Sequence, residues 1–205
     1  MLELRTPVEA EEDEVLCAHR ATSPEVPYFL PYYTEGMPFR RYLEELAERA
    51  RGAHLLPNQV PTTFLFAYVE ARIVGQVSIR HSLNASLERV GGHIGYSVVP
   101  EFRRRGYATN ILRQALQIAR EKLGIRRALL TCDDDNVGSI RAIESNGGVL
   151  ENVITGADLA KPKRRYWIGE GPRRIPEAAH RPGGDDDAKA PCGAARDGHS
   201  SAGPK

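Results

Sequence analysis

The sequence predicts an α+β (layered α/β) fold with a mixed, mostly antiparallel central sheet flanked by helices. Three strand-like runs at residues 62–69, 73–80 and 92–99 are joined by short polar connections and predict an antiparallel meander. A strongly periodic helix over 107–123 follows, and a strand–helix–strand order comes after it. Antiparallel strands that pass into alternating strands and helices are typical of such layers.

The residues before the meander predict one strand and two helices. Residues 2–5 predict the strand, and the sequence TPVE at 6–9 fits a capping box with proline at the first helical position. This first helix is expected to end near residue 20. A loop rich in proline and aromatic residues follows at 21–36, and the second helix is predicted at about 39–51. Its apolar side chains recur at helical spacing: Tyr42, Leu43, Leu46 and Ala50.

The residues after the meander predict two helices and three strands. The helix at 107–123 follows a charged turn and ends at Gly124. Asn136 is a good N-cap for a second helix, which Gly147 and Gly148 interrupt. The strands are expected at 128–131, 149–154 and 164–168, the last two as a closing hairpin.

The composition limits both the compartment and the class of partner. Of 205 residues, 41% are apolar and 27% are charged, and 28 basic against 27 acidic side chains give a formal charge of +1. This balance argues against a dedicated nucleic-acid or membrane-surface protein. The N-terminus lacks a signal-peptide pattern, and three widely spaced cysteines without a CxxC pair predict free thiols. We therefore expect a cytoplasmic protein.

The last 35 residues differ from the rest of the chain. Residues 171–205 contain six glycines, five prolines and seven alanines, with Ile175 as the one large aliphatic residue and no aromatic residue. Such a segment cannot bury enough apolar surface to offset its ordering entropy. The sequence therefore predicts a folded domain at 1–170 and a disordered tail at 171–205.

The segment that points to a chemistry is the turn before the helix at 107–123. It contains three consecutive arginines, Arg103, Arg104 and Arg105, followed by Gly106. A helix start exposes unpaired N–H groups and the positive end of its dipole, so it binds anions. Gly106 allows the backbone to approach a ligand, and arginines pair with phosphate oxygens. The segment predicts a pyrophosphate site, and it is neither a Walker A loop nor a GxGxxG fingerprint.

These residues resemble the signature of the GNAT superfamily of acyl-CoA N-acyltransferases, [QR]-x-x-G-x-[GA], as Arg103-x-x-Gly106-x-Ala108. The helix opened by Asn136 is a second family feature, and the resemblance covers residues 62–168. The runs RHSLN, GGHIGYSV and ESNGGVLEN are similar to a bacterial subgroup of predicted acetyltransferases. The resemblance implies direct attack of an amine on acetyl-CoA, with no metal.

The resemblance also implies which residues hold the cofactor. The pantetheine arm would pair with backbone groups of Ser97, Val98 and Val99, and an N–H near Val98 or Val99 would stabilise the oxyanion. The acceptor amine would enter from the opposite side of the sheet. The cofactor residues expected on this basis are Ser97, Val98, Val99, Arg103, Arg104, Arg105, Gly106, Tyr107, Ala108, Thr109 and Asn136.

The catalytic residues remain open at this stage. Many relatives carry a tyrosine general acid seven residues after the asparagine, and this chain has Ile143 there. Tyr96 is a candidate acid, although it shares strand parity with Ile94 and Val98, and packing in the core is its alternative role. His93 is either a general base with a pKa near 6.5 or a structural histidine. The other tyrosines that could replace the missing acid are Tyr28, Tyr32 and Tyr33.

The expected acceptor residues are Tyr28, Tyr32, Arg80 and Asn84. The two tyrosines belong to the aromatic loop, which either forms a wall of the acceptor pocket or packs over the sheet edge. Arg80 and Asn84, with His81 beside them, either read substrate polarity or tether loops. Cys132 is interpreted as a buried thiol, and Asp133–Asp135 as partners of a helix dipole rather than metal ligands.

The leading hypothesis is an N-acetyltransferase that moves an acetyl group from acetyl-CoA to a primary amine of a small molecule or peptide. The alternative is a non-catalytic acyl-CoA-binding sensor or regulatory module, which the absent tyrosine keeps open. A nucleotide-phosphate protein unrelated to CoA is a more remote reading. Partners are expected to be the amine acceptor and a second copy of the chain, without nucleic acid or membrane.

Overall fold

A computed structural model describes residues 1–23, 25–26 and 28–170 of the chain, which fall within one unit of Met1–Arg173. The predicted tail at 171–205 lies outside the described residues. None of the described helices is long and apolar enough to cross a membrane. The elements are β1 (Leu2–Arg5), α1 (Glu12–Thr22), α2 (Phe39–Ala50), β2 (Thr62–Val69), β3 (Arg72–Arg80), α3 (Ala85–Arg89), β4 (Ile94–Val98), α4 (Tyr107–Leu123), β5 (Arg127–Asp133), α5 (Val137–Glu144), β6 (Val149–Ile154) and β7 (Lys163–Gly169).

The strands form two antiparallel sheets. The first has the order β1-β2-β3-β4 and the second the order β5-β7-β6. Strands β4 and β5 do not form a ladder; they meet at a bridge between Gly92 and Leu130 and at hydrogen bonds between His93 and Leu129. The mixed pairing expected from the sequence is therefore absent from the described residues, because β4 and β5 separate beyond this point. The separation opens a gap beside β4.

Both faces of the first sheet are covered, and by different layers. Alternate side chains of β3 and β4 on one face, including Val77, Ile79 and Ile94, pack with α4. The opposite face of β2 carries Phe64 and Phe66, which pack with α1, α2 and the aromatic loop. This division follows from the period of two along a strand. The α+β layering predicted from the sequence is confirmed.

The start of α1 corrects one local prediction. The chain stays extended to Val8 and enters α1 through a single 3₁₀ turn at Glu9–Glu11, so the cap is not at 6–9. The Glu11 carboxylate accepts a hydrogen bond from the Val8 N–H at 2.9 Å and pairs with Arg5 at 2.5 Å. Tyr68 donates to the same carboxylate, so tertiary contacts place this turn. The short α3, capped by the Asn84 side chain, was also not predicted from the sequence.

The Glu11 cluster makes stability depend on acidity. The Arg5 guanidinium lowers the pKa of Glu11 from 4.5 to about 2. A lowered folded-state pKa contributes stability that is present above the unfolded value and is lost as the pH falls through the folded value. We expect the melting temperature to fall between about pH 4.5 and pH 2, and Glu11→Gln to flatten this dependence. Melting curves of both proteins across this range, recorded by circular dichroism, measure the effect; equal slopes would contradict it.

Candidate active site

A groove of about 630 Å³ lies where β4 ends, α4 begins and α5 faces them. It lies along the edge of β4 that has no partner strand among the described residues. Strand β4, the turn that follows it, and helices α4 and α5 all contribute residues to its walls. Its walls are formed by Glu25, Val26, Tyr96, Ser97, Val98, Phe102, Arg103, Arg104, Gly106, Tyr107, Ala108, Thr109, Asn136, Val137, Gly138, Ser139, Arg141 and Ala142.

The N-terminus of α4 provides a row of backbone donors. The first hydrogen bond of the helix runs from the Asn110 N–H to the Gly106 carbonyl at 3.2 Å. Within the described residues, the N–H groups of 104–109 have no acceptor. Arg104 and Gly106 adopt left-handed φ values of 64° and 78°, which turn the chain sharply into the helix. Such a turn followed by a helix start is suited to an anion of the size of a diphosphate.

The three arginines of the turn do not act alike. Arg103 pairs with Glu25 at 2.6 Å and donates to the Val98 carbonyl at 3.3 Å, so it fixes the turn. Arg105 lies 5.6 Å from the centre of the Phe102 ring and is outside the groove wall. Arg104 has no ion pair with any described residue and lines the groove, which leaves its charge for a ligand.

The strand side of the groove offers one N–H group in particular. The backbone N–H of Arg80 donates to the His93 carbonyl, and the backbone N–H of Val99 donates to the Val74 carbonyl. These two hydrogen bonds fix the pairing of β3 with β4. Hydrogen-bonded pairs alternate in an antiparallel ladder, so the N–H of Val98 points away from β3 and into the gap. The N–H of Val99 donates to the Val74 carbonyl, and the Val99 side chain is buried. Val99 therefore has no free backbone group for a ligand, contrary to the expectation, whereas Val98 has an unpaired N–H at the groove.

Helix α5 adds groups that the sequence analysis included only in part. Asn136 caps this helix, accepting from the Ser139 N–H at 3.0 Å through its side-chain oxygen, so its NH₂ group remains as a donor. Gly138, Ser139 and Arg141 also line the groove and were missed. The signal that could have found them is their place in the first turns of a helix that begins beside the turn at 103–106.

Tyr96 lies in the groove, at the end nearest the start of β4. Its hydroxyl is 3.5 Å from the Ser139 carbonyl, and burial raises its pKa to about 12. The phenol is therefore protonated at neutral pH and able to donate. Ile143, which occupies the position of the usual tyrosine, is buried in the core. Of the candidate acids, Tyr96 is the one that lines the groove.

His93 is in a structural arrangement. Its ring Nδ1 accepts a hydrogen bond from the backbone N–H of Leu129 at 3.0 Å. The backbone N–H of His93 donates to the Leu129 carbonyl at 2.7 Å. Because the Leu129 N–H can only donate, Nδ1 must be the ring nitrogen with the lone pair. The neutral ring therefore carries its proton on Nε2 and has no second lone pair with which to accept a proton. Burial and the positive charge of the nearby Arg80 lower the pKa of His93 below its usual value. The general-base hypothesis for His93 is therefore replaced by its structural alternative.

This assignment gives an expected result for His93→Ala. The variant leaves the Leu129 N–H without its acceptor and should lower the free energy of unfolding by about 1–3 kcal/mol. The pH dependence of kcat should be unchanged. Urea unfolding and a pH–rate profile measure the two effects, and His93→Asn, which restores an acceptor oxygen, is the matched control. Loss of an acidic limb in the rate profile would restore the role of a base.

The expected acceptor residues divide into two groups. Asn84 accepts from the Leu87 N–H and donates to the Asn58 carbonyl, which favours the loop-tethering alternative. Tyr28 is 79% exposed and has no ring contact with the described residues. Tyr32 lies under the Arg49 guanidinium, 4.8 Å from it. Arg80 is partly buried beside Gly95 on the face of β4 opposite Tyr96.

The remaining candidates are structural. Burial raises the pKa of the Cys132 thiol to about 11, so the thiolate is scarce at neutral pH. Asp133, Asp134 and Asp135 each pair with a basic residue in or just before β7, respectively Lys163, Arg164 and Lys161. No group of three metal-ligating side chains occurs among the described residues.

The profile described as an acetyltransferase (GNAT) domain matches residues 1–149, well over half of the chain. The chain belongs to the GNAT acetyltransferase family. The resemblance read from Arg103, Gly106 and Ala108 is thereby confirmed. The activity is acetyl transfer from acetyl-CoA to an amine, and acetyl-CoA is the co-substrate.

Solved structures share the fold of this chain. No curated protein sequence matches it. RimL, a ribosomal L7/L12 α-N-protein acetyltransferase bound to coenzyme A, is 16% identical with a TM-score of 0.61, covering 82% of this chain and 93% of its own. The microcin C7 self-immunity acetyltransferase MccE, bound to acetyl-CoA and AMP, is 16% identical with a TM-score of 0.61, covering 82% and 92%. A mutant spermidine/spermine N-acetyltransferase, SpeG of Vibrio cholerae, is 16% identical with a TM-score of 0.54, covering 82% and 95%.

Proposed function

We propose that this GNAT enzyme acetylates a primary amine of a small molecule or peptide, with acetyl-CoA held in the groove between β4, α4 and α5. The observation that carries the proposal is the row of unpaired N–H groups at 104–109 within that groove. These groups, with Arg104 and Arg141, would bind the diphosphate. Ser97, Tyr107, Ala108 and Thr109 form the adjoining wall, and the Asn136 amide closes the other side.

The chain's own groups then define the steps. The Val98 N–H binds the thioester oxygen and stabilises the negative charge that develops there as the amine attacks. The nitrogen–carbon bond forms, the carbon–sulfur bond breaks, and Tyr96 donates its proton to the leaving sulfur. Tyr96 recovers that proton from solvent. The amine enters neutral and releases its extra proton to water, since His93 has no free acceptor nitrogen and Glu25 is paired with Arg103.

The acceptor class separates this proposal from a sensor. RimL, MccE and SpeG are named for protein, microcin-related and polyamine acetylation, so the fold accommodates different amines. The test is thiol release by the full chain with acetyl-CoA and a panel of peptide, amino-acid and polyamine acceptors. Turnover on at least one class is expected. Tight acetyl-CoA binding without turnover on any amine would favour the non-catalytic module.

The proposal includes the setting of the enzyme. We place it in the bacterial cytoplasm, as the composition and the resemblance suggest, acting on amines rather than on nucleic acid or membranes. We also propose a homodimer. Support comes from the edge strand β6, where Val149, Leu150 and Val153 are exposed. Sedimentation of the full chain tests this, and a monomer at micromolar concentration would contradict it.

A further inference from the structure

The face of β3 and β4 opposite Tyr96 carries a strip of polar side chains. Gln76, Ser78 and Arg80 on β3 lie beside Gly95 and Ser97 on β4. The same face of β2 is aromatic, with Phe64 and Phe66. A polar strip that continues from an aromatic core layer is typical of a site that orients a ligand with polar groups.

Two buried atoms of this region lack partners. The Gln76 side chain is 7% exposed; its nitrogen donates to Ser97 at 3.1 Å, while its oxygen has no partner among the described residues. The hydroxyl of the fully buried Tyr42, in the layer that covers this face, has none either. Unpaired buried polar atoms are costly, so both point to a ligand that supplies hydrogen bonds.

Arg80 is the charged member of the strip. One terminal nitrogen donates to the Gly91 and Gly92 carbonyls at 3.3 and 3.1 Å, which holds the guanidinium in place. No described carboxylate pairs with Arg80, and burial lowers the pKa of its guanidinium. The other terminal nitrogen and Nε keep donors available in the fork geometry that matches a carboxylate. A partly buried guanidinium that has no carboxylate partner among the described residues is suited to bind an anion.

The position of Arg80 relates it to the reaction. A Cβ placed on Gly95 would lie 3.7 and 3.9 Å from the two terminal nitrogens of Arg80. Gly95 directly precedes Tyr96, which lines the inner end of the groove. Ser97 is one strand repeat further, about 7 Å along β4 on the same face as Arg80. The guanidinium therefore lies beside Gly95, on the side from which an acceptor would enter, and the Val98 N–H is three residues, roughly 10 Å, further along β4.

We infer that the acceptor is an amine that also carries a carboxylate, and that Arg80 binds this carboxylate while the amine reaches the thioester. This inference rests on the proposed acetyl transfer and names the substrate class of the same site. The carboxylate belongs to a free amino acid or to an acidic residue next to a peptide N-terminus. Arg80 is a specificity residue in this proposal.

The test compares matched acids and amides as acceptors of the full-length chain. The panel contains the common L-amino acids with their carboxamides, and peptides with glutamate or glutamine at the second position. For the best amine, kcat/KM for the acid should exceed that for the amide on the order of tenfold, the effect expected of a charge-assisted pair. Arg80→Gln should bring the ratio close to one while leaving the KM for acetyl-CoA unchanged.

Arg89→Gln is the control, because Arg89 is exposed and paired with Asp158. It should keep the preference for acids. A purely structural Arg80 would lower the melting temperature of Arg80→Gln without changing the acid-to-amide ratio, and that result overturns the inference. Wild-type enzyme that uses amides as well as acids overturns it too, while leaving acetyl transfer intact.

A binding experiment covers the case without turnover. N-acetylated amino acids and their carboxamides are titrated calorimetrically against the CoA-saturated chain. Tighter binding of the acids, lost in Arg80→Gln, supports the inference. Equal binding of both, or binding of neither, overturns it. Failure of CoA itself to bind refutes the proposed function instead, so the two failures are distinguishable.

Discussion

Gly106→Glu is expected to abolish acetyl-CoA binding, raising the dissociation constant at least about 100-fold, which corresponds to about 2.7 kcal/mol. Gly106 has a φ of 78°, and a Cβ placed there meets no atom within 4 Å, so a side chain extends into the open groove. A carboxylate at this point repels phosphates and competes for the N–H groups of 104–109. Calorimetric titration and the shift in melting temperature with acetyl-CoA measure the loss.

The chain offers a matched control at the other end of the same helix. Gly124 caps the C-terminus of α4 with a φ of 69°, and a Cβ there also meets nothing within 4 Å. Gly124→Glu therefore carries a similar backbone strain without touching the groove and should bind acetyl-CoA normally. Equal loss of binding in both variants would show that folding, and not the anion site, is affected. Full binding by Gly106→Glu would refute the site.

Tyr96→Phe is expected to lower kcat by about 100-fold, at the lower end of the range for general acid catalysis, with little change in the KM for acetyl-CoA. The variant keeps the ring between β4 and α5 and removes only the hydroxyl near Ser139. The leaving thiolate must then take its proton from water. Steady-state thiol release with a saturating amine measures the change.

The pH dependence gives a second readout for Tyr96. Burial raises its pKa to about 12, so the hydroxyl remains protonated up to about pH 10 and the wild-type rate should rise with pH as the amine loses its proton. Tyr166→Phe is the control, since Tyr166 is buried and donates to Glu144 at 3.1 Å, away from the groove. A kcat for Tyr96→Phe equal to that of the control would remove Tyr96 from the mechanism.

The elements that the sequence located best are those encoded by neighbouring residues. The bounds of α4 follow from its apolar periodicity and from Gly124, and the Asn136 cap follows from the preference of asparagine for that position. The proposed diphosphate site belongs to this class, because the turn at 103–106 and the start of α4 are contiguous. The first helix was misplaced because distant contacts of Glu11, with Tyr68 among them, set its start.

By itself, the sequence determined the layered α+β fold, the acetyltransferase family and the turn that is proposed to hold the diphosphate. Only the tertiary structure decided that Val98 rather than Val99 offers its N–H, that His93 is held by Leu129, and that Arg80 has no described carboxylate beside it. The physical reason is that a hydrogen-bonding group is defined by its partner. Those partners lie on other strands, where register and packing, and not the neighbouring letters of the sequence, bring them together.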